Sequence, residues 1–293
     1  MLRFLKSGAI MDTCLLKILD PPVGRRGMEN PMAPLTLITG ASSGIGKVFA
    51  ERFAREKHDL IVAARRRNEL EALAESLSRA HGIQVHVIPC DLSLPDASRT
   101  LYEEIQQRGL EVDGLVNNAG FGIHGSYAEM EPEALERMIT VNVTVITLLT
   151  RYFLPGMIAR RSGTIINIAS TAAFQPIPFF SAYAASKAYV LSLTEGLAEE
   201  VRDHGIQVVA LCPGPTRTEF MGTAGLQLGG IKYADAAFMD ATDVVEACMR
   251  ALSRREVVRI PGTLNALMAR SMPFLPRRLV AKVSGKLMKQ SQR

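Results

Sequence analysis

Cysteine is scarce and scattered in this sequence, and long apolar runs are missing. The four cysteines lie far apart without a Cys-x-x-Cys pair, and only His86 lies near one of them. Thiols spaced in this way indicate neither a disulfide framework nor a metal site, and they fit a reducing cytosol. Because no run of about 18 apolar residues is present, we expect no helix to span a bilayer. Near the N-terminus, Lys6, Asp12 and Lys17 interrupt any signal-type apolar core.

Acidic residues are missing from the last part of the chain. The whole sequence has 34 Lys+Arg and 29 Asp+Glu, a formal net charge of +5. Residues 262–293 carry seven basic and no acidic side chains, so the other residues, with 27 basic and 29 acidic side chains, have a net charge of −2. The body is therefore nearly neutral, and the basic tail by itself does not indicate nucleic acid as a partner.

From Leu35 onward, short apolar segments alternate with longer helical ones. The apolar segments are rich in Ile, Val and Leu and mostly lack strict alternation, as is typical of strands buried on both faces of a parallel sheet. We predict strands at 35–39, 60–64, 85–88, 114–117, 164–169, 207–211 and 257–260.

The stretches between these strands have helical periodicity. Helices are predicted at 47–57, 69–80, 132–160 and 181–204, with Pro132 in a first helical turn and Gly205 after the last one. This alternation predicts an α/β fold with a single doubly wound parallel sheet and helices on both faces. We assign 1–34 to a poorly ordered arm, 35–261 to the catalytic domain and 262–293 to a basic amphipathic C-terminal extension.

A glycine-rich turn follows the first predicted strand and opens a helix. The segment is Thr39-Gly40-Ala41-Ser42-Ser43-Gly44-Ile45-Gly46. Glycine lets the backbone turn tightly toward a pyrophosphate, and a helix N-terminus supplies free N–H groups and a positive dipole end. Glycines also serve ordinary turns, but the place after the first strand of a βαβ series favours a dinucleotide cofactor. The predicted contacts are Gly40, Ser42, Ser43, Gly44, Ile45 and Gly46.

The end of the second predicted strand indicates which cofactor binds. An acidic residue there would bind the ribose 2′-OH of NAD, but this sequence has Arg65, Arg66 and Arg67 instead. Arginine pairs bidentately with phosphate oxygens, so Arg65 and then Arg66 are candidates for the 2′-phosphate of NADP(H). A solvated basic helix start is the alternative. Asp91, after the third strand, is placed near the adenine.

Four polar side chains are predicted to do the chemistry. Tyr183 and Lys187 are four residues apart on one helix face, Ser170 ends the fifth strand, and Asn142 precedes it in a helix. A carbonyl that accepts a hydride gains negative charge on its oxygen and needs a proton and hydrogen bonds. Because a free tyrosine has a pKa of about 10, the Lys187 ammonium and an oxidised nicotinamide must stabilise its phenolate. Ser170 would orient the carbonyl, and Asn142 would hold a water between Lys187 and solvent.

Together these motifs resemble the short-chain dehydrogenases/reductases over nearly all of 35–261. The resemblance implies a Rossmann fold, NAD(P) as cofactor, and an Asn142–Ser170–Tyr183–Lys187 tetrad with Tyr183 as acid/base. It also implies that the Asn117-Asn118-Ala119-Gly120 segment steadies the sheet beside the cofactor. The implied cofactor contacts further include Asn118, Ala119, Gly120, Pro213, Gly214 and Thr218. The Ala-Arg-Arg segment after the second strand is most similar to the NADP(H)-preferring branch, with its ketone, aldehyde and hydroxysteroid reductases.

We therefore expect a cytoplasmic NADP(H)-dependent oxidoreductase that reduces a hydrophobic ketone or aldehyde. A 3-oxoacyl thioester reductase is the alternative within the class, and a non-catalytic NADP(H)-binding regulatory protein is the alternative outside it. The expected partners are a small carbonyl or alcohol substrate and further copies of the chain, in a dimer or tetramer; no metal is expected.

Two segments are expected to shape the substrate site. The first is Phe174–Phe180 and the second is 217–240. In the first segment the apolar side chains either form a wall of the substrate site or pack within the domain or at a dimer contact; they are Phe174, Ile177, Phe179 and Phe180. In the tail, Leu279, Val280, Val283 and Leu287 cluster on one helical face with lysines alongside. Residues 277–293 either contact an anionic membrane peripherally or dock on protein.

Overall fold

A seven-stranded, fully parallel sheet forms the centre of the protein. The computed structural model describes residues 33–225 and 237–290, and within these the sheet has the strand order β3-β2-β1-β4-β5-β6-β9. The strands are β1 (Leu35–Thr39), β2 (Asp59–Ala64), β3 (Val85–Pro89), β4 (Gly114–Asn117), β5 (Gly163–Ile168), β6 (Ile206–Leu211) and β9 (Val258–Arg259). Two short strands, β7 (Thr216–Arg217) and β8 (Met239–Asp240), pair separately in parallel. The order reverses between β1 and β4, which is the switch point of a doubly wound Rossmann sheet.

Helices cover both faces of this sheet. They are α1 (Gly44–Arg55), α2 (Arg67–His81), α3 (Ala97–Gln107), α4 (Pro132–Ile139), α5 (Ile146–Arg160), α6 (Ser181–Glu200), α7 (Phe220–Thr223), α8 (Ala241–Ser253), α9 (Thr263–Ser271) and α10 (Arg277–Gln290). A π-helical turn, Thr140–Val145, joins α4 to α5 without a break. The described residues from Ala33 onward belong to one compact unit. The arm predicted at 1–34 lies outside the described residues except for its last two positions, and the three-part division of the chain stays a prediction.

Buried apolar side chains on each sheet face explain why the strands have no polar alternation. Leu37 and Ile61 point to the cluster beneath α3 and α5, whereas Ile38 and Val62 point to the cluster beneath α1 and α8. Parallel strands covered by helices on both faces bury every second residue on each side. The predicted doubly wound α/β fold is confirmed.

A chain of polar side chains crosses the interior and joins the sheet to α6. Asn117 Nδ2 donates to Asn167 Oδ1 at 2.8 Å and lies 3.1 Å from Thr150 Oγ1, and Asn167 Nδ2 donates to Thr194 Oγ1 at 3.0 Å. These four residues come from β4, β5, α5 and α6 and are all buried. Because buried polar groups are costly without partners, the network fixes α6 against the strand ends.

The predicted element bounds need small corrections. The helix expected from 47 begins at Gly44, because the glycine turn itself enters the first helical turn. The helix expected to end at 204 ends at Glu200 and is followed by a 3-10 turn up to Gly205, whose φ is 73°. Helices α3, α7, α8 and α9 were not predicted; the polar sequence of α3 shows its buried apolar face only at Leu101 and Ile105.

The helical segment Pro132–Arg160 bears on the expectation that no helix spans a bilayer. It is a continuous helix of 29 residues that contains an 18-residue stretch with a mean hydropathy of 1.4, and by length and composition alone it would suffice to cross a bilayer. Leu149, Phe153 and Met157 of this helix are buried in the cluster beneath the sheet, as in a core helix, which can have the same length and composition.

Candidate active site

A large cleft opens at the carboxyl ends of the central strands. It has a volume of about 1460 Å³ and is lined by the residues that follow β1 to β6 in turn. Of the predicted site residues, the lining includes Gly40, Ser42, Ser43, Gly44, Ile45, Arg65, Arg66, Asp91, Asn118, Ala119, Gly120, Ser170, Tyr183, Lys187, Pro213, Gly214 and Thr218. The two others, Gly46 and Asn142, are not in the lining and lie behind it. Ligands of open α/β sheets bind at this edge.

The glycine turn is packed too closely to accept side chains. Gly40 has a φ of 66°, and a Cβ there would lie 2.9 Å from Asn118 Nδ2. A Cβ on Gly46 would clash with the carbonyl oxygen of Gly40 and lie 2.5 Å from the same Asn118 atom. The Ser43 side chain makes no capping hydrogen bond at the start of α1. The first N–H groups of this helix are therefore not capped by the Ser43 side chain. An anion-binding turn requires such N–H groups to be available for the ligand.

Thr39 and Asn118 hold this turn against the end of β4. Thr39 Oγ1 donates to Val116 O and accepts from the backbone N–H groups of Asn118 and Ala119, both at 3.0 Å. Asn118 Nδ2 donates to the carbonyl oxygens of Thr39 at 2.9 Å and Gly40 at 3.2 Å. The polar ends of two adjacent strands thus form a rigid floor to the cleft.

Arg66 is held over the glycine turn by two partners. Its Nε and Nη2 lie 3.3 and 3.1 Å from Ser42 Oγ, and its Nη2 lies 3.0 Å from Glu219 Oε2. Hydrogen bonds from Arg66 and Ser43 lower the pKa of Glu219. A carboxylate therefore already lies where an arginine and two serines converge. Sequence reasoning missed Glu219, whose only signal is its place one residue after Thr218.

Asp91 lies on the same side of the cleft, after β3. Partial burial acts to raise its pKa, but hydrogen bonds from the backbone and hydroxyl of Ser93, with Arg65 and Arg137 nearby, leave the pKa below its usual value. The two bonds to Asp91 Oδ1 measure 3.0 and 2.7 Å. The carboxylate is thus fixed in its charged form. Arg137, a cleft-lining residue of α4, was not predicted.

Tyr183 and Lys187 are both buried on one face of α6. The Lys187 ammonium lies 5.7 Å from the centre of the Tyr183 ring and donates to Ile168 O at 2.8 Å. Burial raises the pKa of Tyr183 to about 12, although a hydrogen bond with Ser170 acts to lower it. Burial also lowers the pKa of Lys187 to about 8. At neutral pH the tyrosine is therefore protonated and the lysine is charged.

Ser170 and Asn142 are fixed by backbone groups near this pair. Ser170 Oγ accepts from Ala172 N at 3.1 Å and lies 3.4 Å from Pro213 O. Asn142 Oδ1 accepts from Phe121 N at 3.1 Å, and its Nδ2 lies 2.9 Å from Phe121 O and 3.1 Å from Ser186 Oγ. A Cβ on Gly120 would lie 3.0 Å from Asn142 Oδ1 and 3.3 Å from Lys187 Nζ. These two atoms therefore flank Gly120. Asn142 lies in the π-helical turn Thr140–Val145, and such turns are frequent at functional sites.

Aromatic side chains enclose the Tyr183 ring. Phe180 stacks on it with ring centres 4.3 Å apart, and Phe220, which the sequence analysis did not single out, lies at 5.5 Å. Ile177 and Phe180 line the cleft as the apolar-wall alternative requires. Phe174 instead packs beside the cluster around Val190, so it belongs to the domain-packing alternative. Phe179 does not line the cleft; its carbonyl accepts from Gly125 N at 2.9 Å. The central part of the predicted 217–240 segment, 226–236, lies outside the described residues.

The C-terminal helix α10 docks on the protein at the other side of the cleft. Ser284 Oγ donates to Pro176 O at 2.9 Å, and Val280 is only 7% exposed. Leu279, Val283 and Leu287 line the cleft. Of the two alternatives for the tail, docking on its own domain is therefore what 277–290 does in this structure; 291–293 lie outside the described residues.

Comparisons with known proteins agree with this architecture. The family model described as short chain dehydrogenase matches residues 34–228. The oxidoreductase YvrD of Bacillus subtilis is 37% identical over 200 residues, or 68% of this chain and 74% of that protein. The very-long-chain 3-oxoacyl-CoA reductase of Anas platyrhynchos is 31% identical over 206 residues, or 68% of this chain, and the match spans 64% of that relative's length.

Solved structures point to the same class. A short-chain dehydrogenase from Sphingobium yanoikuyae in complex with NADPH has 36% identity and a TM-score of 0.73, covering 82% of this chain and 94% of that one. A short chain dehydrogenase/reductase from Burkholderia phymatum in complex with NAD has 27% identity and a TM-score of 0.71, covering 81% and 92%. This chain belongs to the short-chain dehydrogenase family. It is an oxidoreductase of CH–OH and C=O groups, in a family that uses nicotinamide cofactors.

Proposed function

We propose that the protein is an NADPH-dependent reductase of hydrophobic ketones or aldehydes. The observation that carries the proposal is the buried Tyr183–Lys187 pair, which lines a cleft with apolar walls. Lys187 keeps its charge at neutral pH and Tyr183 keeps its proton, so the pair is prepared to donate a proton to a carbonyl oxygen.

The chain's residues fit a dinucleotide. The turn at Gly40 and Gly46 has no room for side chains, so a pyrophosphate can approach the backbone and the start of α1. Arg66, with Arg65 beside it, offers the charge that a 2′-phosphate needs, and Asp91 offers a fixed acceptor for adenine. NADH remains the alternative cofactor, since one solved relative is a complex with NAD.

When bound, the reduced nicotinamide supplies the hydride that reduces the carbonyl carbon. Tyr183 Oη gives its proton to the carbonyl oxygen, so the product is the alcohol. Ser170 Oγ donates a hydrogen bond that orients this oxygen. Lys187 stabilises the tyrosinate left behind, and its ammonium donors beyond the one used by Ile168 O are assigned to ribose hydroxyls. Asn142 positions the Phe121 backbone and Ser186 behind Lys187, and we assign it the water link to solvent.

The direct test is NADPH consumption with a panel of aldehydes, ketones and 3-oxoacyl thioesters, repeated with NADH. Tyr183→Phe should abolish turnover while NADPH binding, measured by calorimetry, is kept. Turnover that survives this substitution would show that Tyr183 is not the proton donor.

A second candidate, a 3-oxoacyl thioester reductase, is favoured by the similarity to the very-long-chain 3-oxoacyl-CoA reductase of Anas platyrhynchos. Turnover of acyl thioesters alone would select it. Assembly into a dimer or tetramer and a cytoplasmic location stay predictions, and sedimentation analysis measures the former.

A further inference from the structure

The cleft has a wall that the short-chain dehydrogenase match does not include. That match ends at residue 228, whereas α10 begins at Arg277 and contributes six residues to the cleft lining: Leu279, Val280, Val283, Ser284, Leu287 and Met288. We infer that α10 is a substrate-binding wall and that it selects carbonyl compounds with a long or bulky apolar body. This inference rests on the proposed reductase function and adds the segment and the substrate shape.

One face of α10 is firmly attached to the protein. Val280 is buried, Ser284 donates to Pro176 O, and a Cβ on Gly285 would lie 3.1 Å from Pro178 Cγ. Near the end of the helix, Met288 packs beside the cluster that contains Phe180 and Tyr183. The helix is therefore held on the loop that carries the aromatic partner of Tyr183.

The neighbouring face of α10 is apolar and only partly covered by the residues that the structure describes. Leu279, Val283 and Leu287 follow one another at four-residue spacing, so they form one strip along the helix. They line the cleft, yet they are 52%, 53% and 41% exposed. A half-exposed apolar strip inside a cleft gains free energy when an apolar ligand removes it from water. Ile177 and Phe180 extend this apolar surface toward Tyr183.

Kinetics with two aldehydes of different length test this wall. Leu287→Ser and Val283→Ser should each raise KM for dodecanal about tenfold and leave kcat nearly unchanged, since a few methylenes in an apolar pocket discriminate by about that factor. The KM for butanal, whose short chain buries little apolar surface, should stay nearly as it is. Lys286→Ser, on an exposed position of the same helix outside the lining, is the matched control and should change neither value.

A binding measurement separates this inference from the proposed function. Dodecanol cannot be oxidised by NADPH, so its affinity for the NADPH complex is measured by calorimetry without turnover. A tenfold weaker affinity for dodecanol in the two serine variants, with the affinity of Lys286→Ser unchanged, supports the wall even if no aldehyde is reduced. The absence of aldehyde reduction would refute only the proposed reductase function.

Three outcomes would overturn the assignment of α10 as a substrate-binding wall. The first is that Leu287→Ser and Val283→Ser change neither the affinity for dodecanol nor the KM for dodecanal. The second is that these variants raise the KM for butanal and the KM for dodecanal by the same factor. The third is a loss of binding to phosphatidylglycerol–phosphatidylcholine vesicles without any change in dodecanol affinity, which would assign the strip to a membrane surface.

Discussion

The ion pair between Arg66 and Glu219 allows a sharp test of cofactor preference. Glu219 Oε2 lies 3.0 Å from Arg66 Nη2, and the same guanidinium contacts Ser42 Oγ at 3.1 Å. In the proposed function, Arg66 binds the 2′-phosphate of NADPH. Glu219 therefore occupies the guanidinium before the cofactor arrives, and NADPH has to displace it. NADH has no 2′-phosphate and does not need this exchange.

Glu219→Gln removes the competing charge. The two side chains are 40% and 63% exposed, and ion pairs as exposed as this contribute about 0.2–1 kcal/mol because solvent screens them. At about 1.4 kcal/mol per tenfold, the Kd for NADPH should fall by about 1.4- to 5-fold relative to the Kd for NADH. The ratio of the two values is the relevant quantity, because a general loss of negative charge near the cleft affects both cofactors.

Fluorescence titration of both cofactors at low and at high salt measures this ratio, and the gain should shrink with added salt. Asp240→Asn is the control, since it removes an ion pair of similar exposure, to Arg217 at 3.2 Å, outside the cleft lining. The reasoning would be refuted if Glu219→Gln weakened NADPH selectively, or if both cofactors bound more tightly by the same factor.

Three further predictions concern stability and pH. Gly196→Ala should raise stability by about 0.8–1 kcal/mol, seen as a Tm higher by about 2–4 °C, because Gly196 is exposed in the middle of α6 and a Cβ there meets no atom within 4 Å. Gly46→Ala should lower both the Tm and NADPH affinity, because its Cβ would clash with Gly40 O; an unchanged Tm would contradict the packing described. Lys187→Met should flatten the pH dependence of urea unfolding between pH 8 and 10.5. Since the pKa of Lys187 is lowered, the unfolded chain binds its proton more readily there, and wild-type stability gains with rising pH.

The fold and the placement of most predicted site residues in the cleft lining could be predicted because they depend on local sequence. Buried parallel strands show as apolar runs, and the residue after each strand lies at one sheet edge, so Gly40, Arg65, Asp91 and Ser170 converge as expected. Contacts between distant segments could not be predicted in this way. Glu219 reaches Arg66 across 153 positions, and nothing in either local pattern indicates that pairing.

The C-terminal helix shows the same limit on prediction, because its local pattern did not indicate which surface it would contact. Its amphipathic pattern correctly predicted a helix with one apolar face, and left open whether that face meets lipid or protein. A pattern on one helix gives the direction of its apolar side but carries no information about the surface opposite. Here that surface is partly the 176–178 loop and partly the open cleft, so the attached face of the helix and the neighbouring apolar strip have different environments.

Burial is the largest influence on the protonation of Tyr183. The four-residue spacing predicted that the Lys187 ammonium would favour the phenolate, but burial raises the pKa of Tyr183 to about 12 and lowers that of Lys187 to about 8. Desolvation opposes charge on both groups, so the lysine alone does not ionise the tyrosine. Before the reaction the pair therefore consists of a neutral acid and a cation, which suits proton donation to a carbonyl. Oxidation of an alcohol would need the tyrosinate, whose formation requires further positive charge such as that of an oxidised nicotinamide.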